Sequence, residues 1–179
     1  MRMLKSIHVA VLLLSFGSTQ LSEAQADQFS PPSKWEPVYW DKAMLAIKDA
    51  QQRGDKIEAE TLCARVIPYV EAQTVEALRQ HAELLEISKS ASATDARSKA
   101  EKLAQVKAEQ ARGKVPSNAY LGFAPWEELF VYVGALQALD RDSDAQAVRL
   151  LATAYRRTQD AYIRRSILMR ERKDPRGEC

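Results

Sequence analysis

The chain has 179 residues, of which 46% are hydrophobic and 28% charged, and its formal net charge is +2 at pH 7. This composition excludes an intrinsically disordered chain, which would be poorer in apolar residues or more strongly charged. Six glycines, seven prolines and two cysteines exclude collagen-like, low-complexity and disulfide-dense architectures. The length suits a single domain with a core of its own.

The first 26 residues have the pattern of an export signal. Arg2 and Lys5 form a cationic start, residues 7–16 are apolar, and small residues follow at 24 and 26. We therefore predict a signal peptide, residues 1–26, that is cleaved after Ala26. The mature protein is expected to be periplasmic or secreted and not to span a membrane. Retention of the segment as an anchor is the alternative, although its roughly ten apolar residues are about half of what a membrane-spanning helix needs.

The mature chain begins with a segment, residues 27–39, that combines three prolines with three aromatic residues. This composition predicts an extended arm that lies on the first helix. Helical spacing of apolar residues begins at Trp40 and defines a domain over residues 40–163. The helical spacing is interrupted at five places, which separate six predicted helices. These interruptions lie at Gly54-Asp55, Pro68, 88–94, 113–125 and 140–144. Strand patterns are absent from the sequence, so the predicted fold class is all-α.

Small residues recur shortly after the predicted turns, at Ala59, Ala96 and Ala145. Two helices of a hairpin approach closely at such positions, where a larger side chain would force them apart. The pattern resembles the tetratricopeptide repeat family, over about residues 40–160. The resemblance implies antiparallel helical hairpins stacked as a short solenoid, although Arg149 stands where the family keeps a packing residue. An irregular helical bundle is the alternative.

Solenoids of this family bind extended peptides along the surface of their first helices. The resemblance therefore implies a non-enzymatic protein–protein interaction or assembly module with an unidentified protein or peptide partner. Eight residues of the first and last hairpins would form the binding surface: Asp41, Met44, Lys48, Gln51, Gln52, Glu127, Phe130 and Gln137.

The sequence offers little chemistry for catalysis. His81 is the only histidine after signal cleavage, and it lies beside an apolar stripe, so we predict a packing role for it. Metal-binding and phosphate-binding motifs are absent. We predict no catalytic, cofactor or metal site. The alternative is a small enzyme with a carboxylate-based site in a helical cleft.

The two cysteines lie far apart in the sequence. Cys63 falls on an apolar helix stripe and is predicted to be a small buried core residue, while Cys179 is predicted to be a terminal thiol. A disulfide between them is the alternative, because an exported protein meets oxidising conditions.

Residues 164–179 form a basic helix end and tail. This segment could attach the protein to an anionic surface, or it could be a solvated helix end whose cations favour the helix dipole. Nucleic acid is not an expected partner of an exported protein. The basic residues that would make the surface contact are Arg164, Arg165, Arg170, Arg172, Lys173 and Arg176.

Overall fold

The structure, a computed structural model, describes residues 29–114 and 121–170, with side chains described up to residue 161. These residues form helices and no strand, which confirms the all-α prediction. The predicted signal peptide and the tail after residue 170 lie outside the described residues. In the described part, no helix is both long enough and apolar enough to cross a membrane. The five helices are α1 (Pro37–Gln52), α2 (Lys56–Ile87), α3 (Ala93–Ala111), α4 (Pro125–Gln137) and α5 (Asp142–Arg170).

Helix α1 begins at Pro37, three residues before the start that the apolar spacing predicts. Proline is favoured in the first turn because its missing N–H would have no partner there and its fixed φ suits the helix. A short turn then reverses the chain, with Gly54 at a φ of +75°. Asp55 caps α2, its carboxylate accepting a hydrogen bond from the backbone N–H of Glu58 at 2.9 Å. Helices α1 and α2 therefore form the first antiparallel hairpin.

Helix α2 is one continuous helix of 32 residues, and the predicted break at Pro68 is wrong. Proline leaves the carbonyl of the residue four positions earlier without its helical hydrogen bond. That residue is Ala64, and both Ala64 and Pro68 are exposed, so water can hydrate the freed carbonyl. The first half of α2 forms the hairpin with α1, and the second half forms another with α3.

Three ion pairs show that α3 runs antiparallel to the second half of α2. Residues that come later in α2 pair with residues that come earlier in α3. The best-shielded pair joins Lys107 Nζ to Glu71 Oε1 at 2.6 Å, and both side chains are 14% exposed. The three pairs are Glu71–Lys107, Arg79–Glu101 and Glu86–Arg97.

Helices α4 and α5 form the third hairpin. The turn between them holds Asp140 at a φ of +56°, a left-handed conformation that aspartate tolerates better than most residues. The N–H of Arg141 reaches back to the carbonyl of Leu136 at 3.0 Å and so satisfies an orphan carbonyl of α4. Helix α5 also packs on α2 and α1, and this joins the third hairpin to the first two.

The core runs between α2, α5 and the hairpin partners of α2. The alanines expected at close approaches, Ala59, Ala96 and Ala145, are all buried. Cys63, Val66, Ala100 and Leu103 are buried as well, while Arg149 is exposed. Large aliphatic and aromatic side chains fill the centre, among them Ile47, Leu103, Leu129 and Tyr155.

Cys63 is buried in this core, as predicted, but it is not a free thiol. Its sulfur forms a disulfide, and no free cysteine occurs among the described residues. Cys179, the other cysteine of the sequence, lies outside the described residues. The interpretation of Cys63 as only a small apolar packing residue is therefore wrong, and the disulfide alternative gains support.

Candidate functional site

The described part of the chain contains a cleft of about 660 Å³, which we call the arm cleft. It lies between the non-helical arm, residues 29–36, and helices α2, α4 and α5. Its volume is in the range of about 300–1,000 Å³ that is typical of ligand sites. The residues that line it are Ser33, Lys34, Trp35, Gln73, Glu76, Ala77, Gln80, Tyr132, Leu136, Arg141, Asp144, Ala147, Val148 and Leu151.

The arm forms one wall because its tryptophan is anchored to two helices. Trp35 stacks on Tyr69 of α2 with ring centroids 5.7 Å apart, and its Nε1 donates a hydrogen bond to the carbonyl of Ala147 in α5 at 2.9 Å. The hydroxyl of Tyr69 donates to the carbonyl of Lys34 and accepts from the N–H of Glu36, both at 2.8 Å. The predicted arm thus does more than lie on α1: it bridges α2 and α5.

The α2 wall is polar. Gln73, Glu76 and Gln80 recur at a spacing of three and four residues, which places them on one face of the helix. The Gln80 amide donates to Glu76 Oε1 at 3.2 Å, and the Gln73 amide donates to the carbonyl of Ser33 at the same distance. Each glutamine keeps a side-chain carbonyl that can accept a further hydrogen bond.

The opposite wall combines an apolar floor with one ion pair. Leu136 of α4 and Leu151 of α5 are almost fully buried, and Val148 is partly buried and packs against the core. Arg141 Nη2 pairs with Asp144 Oδ2 at 2.6 Å at the start of α5. A ligand in the cleft would therefore meet aliphatic carbon below and polar groups along the rim.

Tyr132 lines this cleft. It is only 4% exposed. Burial raises the pKa of Tyr132, an effect that nearby Arg141 opposes and Asp144 reinforces. A neutral phenol can both donate and accept a hydrogen bond.

His81 packs behind Tyr132, which agrees with the packing role predicted from the sequence. It is 3% exposed, and its Nε2 has no hydrogen-bond partner in the described part of the chain. Burial lowers its pKa, with Glu128 acting in the opposite direction and Lys99 in the same direction. Lys99 and Glu128 pair with each other at 2.7 Å, which joins α3 to α4 beside the histidine.

The surface predicted from the repeat resemblance lies elsewhere. Asp41, Lys48, Gln51 and Gln52 are exposed on α1, whereas Met44 is partly buried and packs against the core. Glu127, Phe130 and Gln137 are exposed on α4. Helices α1 and α4 each pack on other helices and share no extensive contact, so the structure does not bring the two groups together. None of these residues lines the arm cleft.

The predicted anionic-surface residues fall where side chains are not described. Arg164, Arg165 and Arg170 lie in the last part of α5, where the backbone alone is described. Arg172, Lys173 and Arg176 lie outside the described residues.

Two carboxylates line the arm cleft, which bears on the alternative of a carboxylate enzyme. Asp144 is held by Arg141, and Glu76 is exposed and accepts from Gln80. In the described residues, no three histidine, cysteine, aspartate or glutamate side chains come together in a way that could hold a metal ion. The arrangement is suited to hydrogen bonding and apolar contact.

Comparison with models of known protein families, with curated proteins and with solved structures found no match to this chain.

Proposed function

We propose that this chain is an exported, non-enzymatic helical-repeat protein that binds a protein or peptide partner in the arm cleft. The observation that carries the proposal is the cleft itself, about 660 Å³ in volume, in which an aliphatic floor that includes Leu136 and Leu151 is bordered by polar side chains.

The repeat assignment belongs to the same proposal. Three antiparallel hairpins, each with a buried alanine near its turn, support a divergent tetratricopeptide-like stack. The first two hairpins share α2, whereas the units of the family are separate helix pairs. The shared helix favours the alternative fold class, an irregular helical bundle. Either architecture leaves the arm cleft as the binding site.

Export is supported by the disulfide at Cys63. Disulfides persist in oxidising compartments and are rare where thiols are kept reduced. The mass of the protein recovered from the exported fraction tests this part: we expect a chain that begins at Asp27, and recovery of an uncut chain from the cytoplasm would contradict it.

Site-specific photo-crosslinking tests the binding site. A benzophenone amino acid at Gln80, in the arm cleft, should capture a partner in the source cells, and one at Lys102, exposed on α3, should not. A third position, Lys48 on α1, tests the surface that the repeat resemblance implies. Capture at Lys102 equal to that at Gln80, or capture at Lys48 alone, would move the site away from the cleft.

The carboxylate-enzyme alternative is favoured by one observation, the presence of Glu76 and Asp144 in the same cleft. Chromogenic ester, peptide and glycoside substrates provide the test. Turnover that Glu76→Gln abolishes would establish the alternative, and we expect none above background.

A further inference from the structure

We propose that the occupant of the arm cleft is an extended, uncharged peptide segment of about four residues with one large apolar side chain. This inference rests on the proposed function and adds the chemistry of the ligand. Three properties of the cleft carry it: its length, its charge balance and the hydrogen-bonding groups along its walls.

The helix positions set the length of the cleft. The lining residues of α2 extend from Gln73 to Gln80, which is about 10 Å at 1.5 Å per residue. Those of α5 extend from Asp144 to Leu151, also about 10 Å. An extended peptide advances about 3.3 Å per residue, so three to five residues span the cleft.

Charges along the rim cancel. The lining residues include two cations, Lys34 and Arg141, and two anions, Glu76 and Asp144, and the last of these is already paired with Arg141. A strongly anionic or cationic ligand would find as much repulsion as attraction here. An uncharged segment does not meet this penalty, and it can use the aliphatic floor for an apolar side chain.

Polar groups on the walls match a peptide backbone. A buried peptide bond needs a partner for its N–H and for its carbonyl. The side-chain carbonyls of Gln73 and Gln80 can accept from backbone N–H groups, and the Tyr132 hydroxyl can donate to a backbone carbonyl. These groups border an aliphatic floor made of Ala77, Leu136, Val148 and Leu151.

A saccharide is the competing class of ligand, since tryptophan, tyrosine and glutamine also line sugar sites. The ring contacts favour the peptide. Trp35 is stacked on Tyr69, and Tyr132 is stacked on His81, so each ring already has one face covered. The aliphatic floor also offers a saccharide nothing to hydrogen-bond.

Selection from a phage-displayed library of random dodecapeptides tests the inference on the full mature chain. The enriched peptides, synthesised with acetylated and amidated ends, are then measured by fluorescence polarisation. We expect a consensus of one large apolar residue flanked by uncharged residues. Ala147→Trp, which fills the cleft, should weaken binding at least tenfold, and Tyr132→Phe about five- to tenfold through loss of one hydrogen bond.

Val131→Ala is the matched control, because Val131 is an exposed apolar residue on the same helix as Tyr132 but outside the cleft. It should bind like the unaltered protein, and circular dichroism of all three variants establishes that they fold. A charged consensus, the absence of any enriched peptide, equal binding by Ala147→Trp, or competition by saccharides alone would overturn the inference. If crosslinking at Gln80 still captures a partner, the proposed function stands while this ligand chemistry fails.

Discussion

The imidazole of His81 lies nearly flat against the ring of Tyr132, with ring centroids 5.0 Å apart and planes 21° from parallel. His81 belongs to α2 and Tyr132 to α4, so the stack joins two helices directly behind the arm cleft. A change at the histidine is therefore a change in the support of the cleft wall.

The stability of the fold should fall as the pH drops below neutrality. Burial lowers the pKa of folded-state His81 below its ordinary value of 6.5, so the unfolded chain takes up the proton first. Above about pH 7 the histidine does not lower the free energy of unfolding. The loss of this free energy grows as the pH falls from 6.5 to the folded-state pKa. Urea unfolding of the unaltered protein and of His81→Phe between pH 8 and pH 5 measures it. The phenylalanine keeps an aromatic ring against Tyr132 and removes the titration.

The comparison between those two proteins isolates the histidine, because carboxylates elsewhere titrate in both. We expect the difference between their unfolding free energies to shift in favour of His81→Phe as the pH falls. A difference that stays constant across this range would show that His81 is not held neutral by burial.

Reduction of the disulfide at Cys63 should destabilise the protein by about 2–4 kcal/mol, because the cross-link restricts the unfolded chain. Thermal unfolding with and without a reductant measures the loss. Cys63→Ser and Cys179→Ser should each lose similar stability and become insensitive to the reductant, since the sequence holds two cysteines in all. A Cys179→Ser protein that remains sensitive would indicate that Cys63 pairs between chains.

Removal of the Trp35 anchor should loosen the arm. Trp35→Phe keeps a ring against Tyr69 but loses the hydrogen bond to Ala147, at a cost of about 1 kcal/mol. Trp40→Phe is the matched control, because Trp40 is also partly buried against the core, and its Nε1 makes no hydrogen bond to a described residue. Urea unfolding and amide exchange of residues 29–36 provide the readouts. Equal losses in the two variants would argue against an anchoring role for the Trp35 hydrogen bond.

Replacement of Pro68 by alanine should stabilise the protein by about 1–3 kcal/mol. The alanine restores the N–H that can bond to the carbonyl of Ala64 within α2, and the site is exposed, so no packing is lost. Pro37→Ala, in the first turn of α1, should give no such gain, because the added N–H finds no helical partner there. Denaturant unfolding distinguishes the two. Destabilisation by Pro68→Ala would mean that the proline has a role in packing or shape.

Much of the helix order could be predicted from the sequence because local signals were strong. Helix α4 begins at Pro125, where the predicted interruption at 113–125 ends, and its apolar residues Leu129 and Leu136 are buried. The alanines at 59, 96 and 145 are buried because hairpin helices approach closely near a turn. The break predicted at Pro68 was wrong because the cost of a proline inside a helix depends on which side of the helix faces water. That property follows from tertiary packing and is not visible in a single local window.

The arm cleft could not be predicted in the same way. Its walls come from the arm and from α2, α4 and α5, and no local pattern links Trp35 to Ala147 or Tyr132 to His81. The spacing of Gln73, Glu76 and Gln80 was visible as a polar helix face, but such faces are usually only solvated. The place of Tyr132 in the cleft wall depends on its burial and on its stack with His81, and both follow from tertiary packing.

The uninterrupted course of α2 joins the first two hairpins through one helix of 32 residues, about 48 Å along its axis. A break at Pro68 would leave a hinge between the half of α2 that packs on α1, into which the arm continues at Pro37, and the half that carries the arm's anchor, Tyr69. Tyr69 and the α2 wall of the cleft lie together on the second half, so their spacing is set by one helical segment. Binding then does not have to spend free energy on assembling the site, and a short peptide can be held with useful affinity.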